Sequence, residues 1–138
     1  MTIKEYLGQA YRLDQRINSK LEQLESLNSL AMKCTLSHTG MPKNPTHSTS
    51  MMAEIVAKIV DLQSKINQDI DLLVDLKSEI VRVIKNVNRA EYQTLLELRY
   101  LCFKTWEQIA VDLNYSIDNV YRIHRKALRA ASLPKSVQ

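Results

Sequence analysis

From Met52 to Val87 the chain repeats apolar residues in strict alternating steps of three and four. Met52, Ile55, Ile59, Leu62, Ile66, Leu73, Leu76, Ile80, Val83 and Val87 occupy the a and d positions of a heptad, and the one polar residue in that register is Asp69. A strand, whose side chains alternate with a period of two, cannot use this pattern. A helix can, provided its seam finds a partner. The spacing predicts one helix from about Met51 to Val87, about 55 Å long at 1.5 Å per residue.

A first partner precedes it. Leu13, Ile17, Leu21, Leu24, Leu27 and Ala31 also recur at three- and four-residue steps, with Arg16, Lys20, Glu22 and Glu25 between them. This predicts a helix over residues 2–33 that folds back on the second as a hairpin. The Pro-, Ser-, Thr- and His-rich stretch from Cys34 to Ser50 reads as the connecting loop. Ile70, Leu72 and Ile84 widen the second stripe beyond the width of a two-stranded seam. More than two helices are therefore expected in the packed core, which implies self-association through Ile59, Leu62, Ile66, Leu73, Leu76 and Ile80. Asp69 has three readings: it pairs with a Lys, it sets register in an oligomer, or it is solvated on an irregular seam. With two Gly and three Pro in 138 residues, a fold of many tight β-turns is excluded and an all-α chain is expected.

Several function classes fall away. No apolar run approaches the roughly 20 residues of a membrane span. The charged, amphipathic opening MTIKEYLGQAYRLDQRIN lacks a signal-peptide core, so a cytoplasmic protein is expected. Cys34 and Cys102 form no paired motif, and Cys102, inside an apolar run, reads as a core residue. His38, His47 and His124 with Cys34 match no zinc-ligand spacing. No nucleophile–base arrangement, Gly-rich phosphate loop or paired-carboxylate cleft is visible. No metal, no cofactor and no enzymatic activity are expected.

Charge is uneven. Residues 1–88 hold 11 Lys and Arg against 10 Asp and Glu, a net of +1; residues 89–138 hold 8 against 5, a net of +3. The surplus gathers between Ile117 and Ala131, where Arg122, Arg125, Lys126 and Arg129 face Asp118 alone, inside the stretch TWEQIAVDLNYSIDNVYRIHRKALRAA, Thr105 to Ala131. Within it, Thr105 followed by Gln108 and Ser116 followed by Asn119 mark two helix starts. A third start is read at Asn88, with Glu91 three residues on, opening a helix over 89–103. Ile109 and Leu113 give the first short helix an apolar face. Ala110 allows a close crossing, and Asn114 suits a left-handed turn. Tyr115, Val120, Ile123 and Leu128 give the second its inner face. These are the parts of a helix-turn-helix. Its second helix, Ser116 to about Ser132, would carry Ser116, Ile117, Asp118, Asn119, Tyr121, Arg122, Arg125, Lys126 and Arg129 as DNA-contacting residues. Arg suits guanine, Asn adenine and Asp the cytosine amino group, while Lys126 and Arg129 would reach phosphates. His124 reads as a packed residue or a further phosphate contact. The expected organisation is a helical hairpin or coiled coil over 1–87, a three-helix unit over 88–133 and a tail over 134–138.

The stretch LELRYLCFKTWEQIAVDLNYSIDNVYRIHRKALRAA, Leu96 to Ala131, resembles region 4 of the sigma-70 family. The likeness covers about a quarter of the chain and rests on WEQIA and VYRIHRKAL. It implies that Ile117, Asp118, Asn119, Tyr121 and Arg122 fall where sigma factors touch the promoter −35 element; Ile117 stands where a basic residue is common. No sigma region 2 accompanies it. Through LGQAYRLDQRIN and YLCFKTWEQIA the whole chain resembles small phage proteins of the RinA-like and ArpU-like late-gene regulators. That resemblance implies transcription control in a phage or prophage, in the host cytoplasm. Three roles follow as expectations: an oligomeric double-stranded DNA-binding regulator, a small terminase subunit reading a packaging site, or a protein-interaction module contacting RNA polymerase.

Overall fold

The computed structural model describes residues 1–36 and 45–137, with side chains from residue 50 onward in the second span. The described chain is built of α-helices: α1 (Ile3–Leu36), α2 (Pro45–Lys85), α3 (Ala90–Tyr100), α4 (Trp106–Leu113) and α5 (Ile117–Ala130). The all-α expectation holds, and no strand occurs among the described residues.

α1 opens on a reciprocal cap. The Thr2 N–H donates to Glu5 Oε2 at 2.9 Å, and the Glu5 N–H donates to Thr2 Oγ1 at 3.2 Å. Two of the otherwise orphaned donors of the first turn are thereby satisfied. Both long helices outrun their expected ends. α1 continues to Leu36 because Cys34 is buried one heptad step beyond Ala31, and because Thr35 Oγ1 satisfies itself on the Ala31 carbonyl at 3.0 Å. α2 begins at Pro45 rather than Met51. Proline suits the first helical position, where its missing N–H would have no partner. Residues 34–36 and 45–50, expected in the loop, are therefore helical. His38 and the His47 side chain lie outside the described residues.

Contacts divide the chain into two compact units, residues 1–14 with 73–138, and residues 15–72. The division falls inside α1 and α2.

In the unit over 15–72, Ile17 and Ile66 are buried and Asp69 is 3% exposed. Lys20 Nζ lies 2.5 Å from Asp69 Oδ2 and Arg16 Nη2 lies 3.4 Å from Oδ1. Asp69 is thus a paired seam residue of the hairpin and not a solvated one. This pairing also explains why Lys20 takes the α1 seam position while Leu21, expected on the inner face, is 44% exposed. A buried carboxylate requires a cation more than the seam requires another leucine.

In the other unit one core joins the opening of α1 to the end of α2 and to α3–α5. Tyr6, Leu7, Ala10, Ile80, Ile84, Val87, Leu95, Leu96, Ile109, Val120 and Ala127 are all nearly or fully inaccessible. Leu73 and Leu76 pack against this cluster. Of the residues expected at an oligomer contact, Ile80 is buried in this core and Ile66 in the unit over 15–72. Of the three residues that widen the stripe, Ile84 is buried while Ile70 and Leu72 remain exposed.

The turn between α2 and α3 differs from its expectation. Arg89, not Asn88, is the N-cap residue, and its side chain makes no cap bond. Glu91 is engaged elsewhere: Tyr115 donates to its Oε1 at 2.9 Å, and Arg89 Nη2 lies 3.7 Å from its Oε2. Gln93 holds the turn instead, its Nε2 donating to the carbonyls of Val87 at 2.6 Å and Lys85 at 3.3 Å.

Candidate nucleic-acid interface

α3 stops at Tyr100, three residues before the end expected for it, because the next turn reverses. Both the Leu101 and Cys102 N–H groups close on the Glu97 carbonyl at 3.0 Å, and Phe103 takes φ 58°. Phe103 tolerates this left-handed backbone because its ring is held on two sides. Tyr11 meets it edge-on at 5.7 Å, and Lys77 Nζ sits 4.7 Å from its centroid. The reversal turns Cys102 outward, so it is exposed and not the expected core residue. The Arg99 guanidinium braces the loop from within, donating to the Lys104 carbonyl at 2.9 Å.

α4 starts on a complete capping box. The Gln108 N–H donates to Thr105 Oγ1 at 3.2 Å, and Gln108 Oε1 accepts the Thr105 N–H at 2.9 Å. Lys104 Nζ, 2.5 Å from Asp112 Oδ2, ties the approach to the last turn of the helix. Ile109 is fully buried and Ala110 half-buried. Asn114 ends the helix at φ 57°, ψ 44°, and the Tyr115 N–H reaches back to the Ala110 carbonyl at 2.9 Å. This is the left-handed closure that its amide side chain tolerates better than most.

α5 starts on Ser116, whose Oγ accepts the Asn119 N–H at 3.2 Å. The reciprocal half is missing, because Asn119 Oδ1 is occupied by Arg122, whose Nε and Nη2 donate to it at 3.2 and 2.6 Å. The helix has two distinct faces. Val120, Ile123, His124 and Ala127 are buried, and Leu128 is half-buried. Asp118, Tyr121, Arg122, Arg125, Lys126 and Arg129 are exposed together with Ser116, while Ile117 and Asn119 are half-buried at the start of the helix. Apart from the Ser116 cap and the Asn119–Arg122 pair, these side chains form no hydrogen bond or ion pair with protein groups among the described residues.

Beneath that face lies an aromatic wedge. Trp106 meets Tyr121 at 5.5 Å and His124 at 4.5 Å, edge-on in both cases, and the Arg99 guanidinium carbon lies 4.2 Å from its centroid. His124 Nε2 lies 2.6 Å from the Tyr100 hydroxyl. Burial pushes the Tyr100 phenol up to about 12. Burial first, and then the charges of Lys4, Arg99 and Arg125, brings His124 down to about 4. At neutral pH the imidazole is therefore uncharged and shares a buried hydrogen bond with the phenol, so His124 is a packed residue and not a phosphate contact. Sequence spacing does not single out Arg99 or Trp106. The available signal was that Arg99 and the aromatic Trp106 flank a helix start.

No helix among the described residues is long and apolar enough to cross a membrane, and no cluster of metal-binding side chains appears among them. No curated protein and no solved structure matches the chain. One family model does, over residues 48–132, which run from the first turns of α2 to the end of α5 and include the whole cationic face. As that match spans more than half of the chain, the protein belongs to the family described as protein of unknown function (DUF1492).

Proposed function

We propose that this protein is a sequence-specific double-stranded DNA-binding transcription regulator. The observation that carries the reading is the α4–α5 pair. Two capped helices meet at a left-handed Asn114, and the second exposes Arg122, Arg125, Lys126 and Arg129 against Asp118 alone. A helix with a buried inner face and a bare cationic outer face suits the major groove, where its first turns meet base edges and its later cations meet phosphates. Asp118, Asn119, Tyr121 and Arg122 are the base-reading set, with Ser116 and Ile117 at the groove-facing start. Oligomeric action is supported by apolar side chains left exposed on α2, among them Val56, Val60 and Ile70. The resemblance to RinA-like and ArpU-like proteins supports a phage or prophage late-gene role in the host cytoplasm.

The test is selection of duplexes from a random pool by the purified full chain, followed by binding titration and a promoter reporter carrying the selected site. Enrichment of one motif and a changed reporter output without terminase proteins is expected. Enrichment with an unresponsive reporter favours the packaging role. A second reading, contact with RNA polymerase, draws on Val111, which stands 80% exposed on the outer side of α4. Failure to enrich any duplex favours that reading.

A further inference from the structure

A cleft of about 450 Å³ opens between the first turns of α1 and the α3–α4 connection. Lys4, Tyr11, Arg12, Arg99, Thr105 and Trp106 are on its walls. Its charge is one-sided. Three cations face one carboxylate, that of Glu5, which already accepts the Thr2 N–H. None of the three cations forms an ion pair among the described residues. Arg12 makes only a 3.3 Å hydrogen bond, from Nη2 to the neutral Glu5 carbonyl. Exchanging that contact for an anionic oxygen gives a shorter, charge-assisted bond.

The cleft is continuous with the cationic face of α5. Trp106 is a cleft wall on one side and touches Tyr121 on the other. Lys4 and Arg99 of the cleft and Arg125 of α5 all act on the same imidazole, His124. The positive field of the cleft and that of α5 therefore overlap. Gly8 leaves room at the floor: a Cβ there would lie 3.4 Å from Arg12 Nη1.

We propose that this cleft holds a phosphodiester of the duplex read by α5, with Arg12 and Lys4 of α1 and Arg99 of α3 as its cations. The inference rests on the DNA-binding reading and extends the footprint to a helix outside the helix-turn-helix. α1 then contributes to DNA affinity as well as to the core. Its contribution is independent of sequence, because phosphate contacts position a protein without reading bases.

The experiment is the salt dependence of binding to a labelled random-sequence duplex, followed by anisotropy with the full chain. Arg12→Ala and Lys4→Ala are each expected to lower the slope of log K against log salt by about one, and the double variant by about two, as each lost contact releases about one counterion fewer. Affinity for selected and scrambled duplexes should fall by the same factor. Lys58→Ala, whose native Nζ lies beside Glu54, is expected to leave the slope unchanged. Gly8→Leu retains every charge but fills the floor, and is expected to weaken both duplexes equally. Thermal midpoints of all variants identify any that fail to fold.

Unchanged slopes for Arg12→Ala and the double variant, with a reduced slope for Arg125→Ala, would confine the footprint to α5. They would overturn this inference and leave the DNA reading standing. Absence of duplex binding by the wild type would overturn both. The single tryptophan, Trp106, gives an independent readout. Quenching by duplex that is lost in the double variant supports the proposal. Saturable quenching by inorganic phosphate that duplex does not displace would make the cleft a small-anion site and overturn it.

Discussion

Arg122 grips Asn119, donating from both Nε and Nη2 to one amide oxygen at 3.2 and 2.6 Å. The two side chains expected to read bases are thus tied to each other across one turn of α5. The pairing aligns the guanidinium and leaves Nη1 and the Asn119 amide N–H groups for other partners. Under the proposed function, Arg122→Ala is expected to lose about 1–3 kcal/mol on the selected site and little on a scrambled duplex. Arg129→Ala is expected to weaken both duplexes alike and to lower the salt slope by about one. Titration of both variants at one fixed salt concentration separates the roles. Equal losses on the two duplexes for Arg122→Ala would make it a backbone contact.

His124 links folding to acid. Its folded value of about 4 lies below the unfolded value of 6.5. Between the two, the unfolded chain binds a proton that the folded chain refuses, so stability rises with pH across that window. Stability is therefore complete above about pH 6.5 and is expected to drop by roughly 1–3 kcal/mol as pH falls toward 4. His124→Gln, with no imidazole to protonate, should show a flatter pH dependence of its urea midpoint over the same range. Parallel curves for the two proteins would exclude His124 as the source.

Asp69 with Lys20 and Arg16 is a buried carboxylate held by one half-buried and one exposed cation. Asp69→Ala removes the anion and leaves Lys20 facing an apolar seam. A loss of about 1–3 kcal/mol is expected, below the range for fully buried pairs because solvent still reaches Arg16. Asp69→Leu combined with Lys20→Leu restores an unbroken heptad and is expected to match or exceed wild type in urea denaturation. A double variant no better than Asp69→Ala would show that the ion pair contributes more than packing can replace.

Val56, Val60, Ile70 and Val74 are each at least 40% exposed on α2. Each follows a seam position by one residue, and they form two apolar pairs separated by Gln63 and Asn67 of the same register. Val60→Glu with Ile70→Glu is expected to reduce an oligomer to monomer in light scattering, with helicity by circular dichroism retained. A wild type that is already monomeric at micromolar concentration would end this account of self-association.

Much of the fold was legible in the sequence because it is written in local periods. The heptad register of α2 names its inner face, from half-buried Met52 through fully buried Ile80 to Val87. Thr105, Ser116 and Asn114 are caps and turns specified within a few residues, and they occur where their chemistry predicts. What sequence did not show depends on residues far apart in the chain. Asp69 chooses Lys20, 49 residues away, and this choice displaces Leu21. Glu91 is drawn from its expected cap by Tyr115, 24 residues on. The left-handed Phe103, which exposes Cys102, depends on Tyr11 and Lys77. For the same reason the cleft at Trp106 was invisible: its cations come from α1 and α3, more than 85 residues apart in the chain.

Those two cysteines have a practical consequence. Cys34 is buried and Cys102 is exposed in the turn before α4. Thiol reagents therefore meet one reactive address in the native chain, beside the proposed footprint, without any engineered substitution. An affinity-cleavage tether attached at Cys102 would leave strand scissions at a fixed offset from each bound site, converting the turn into a ruler for the polarity of the protein on its operator.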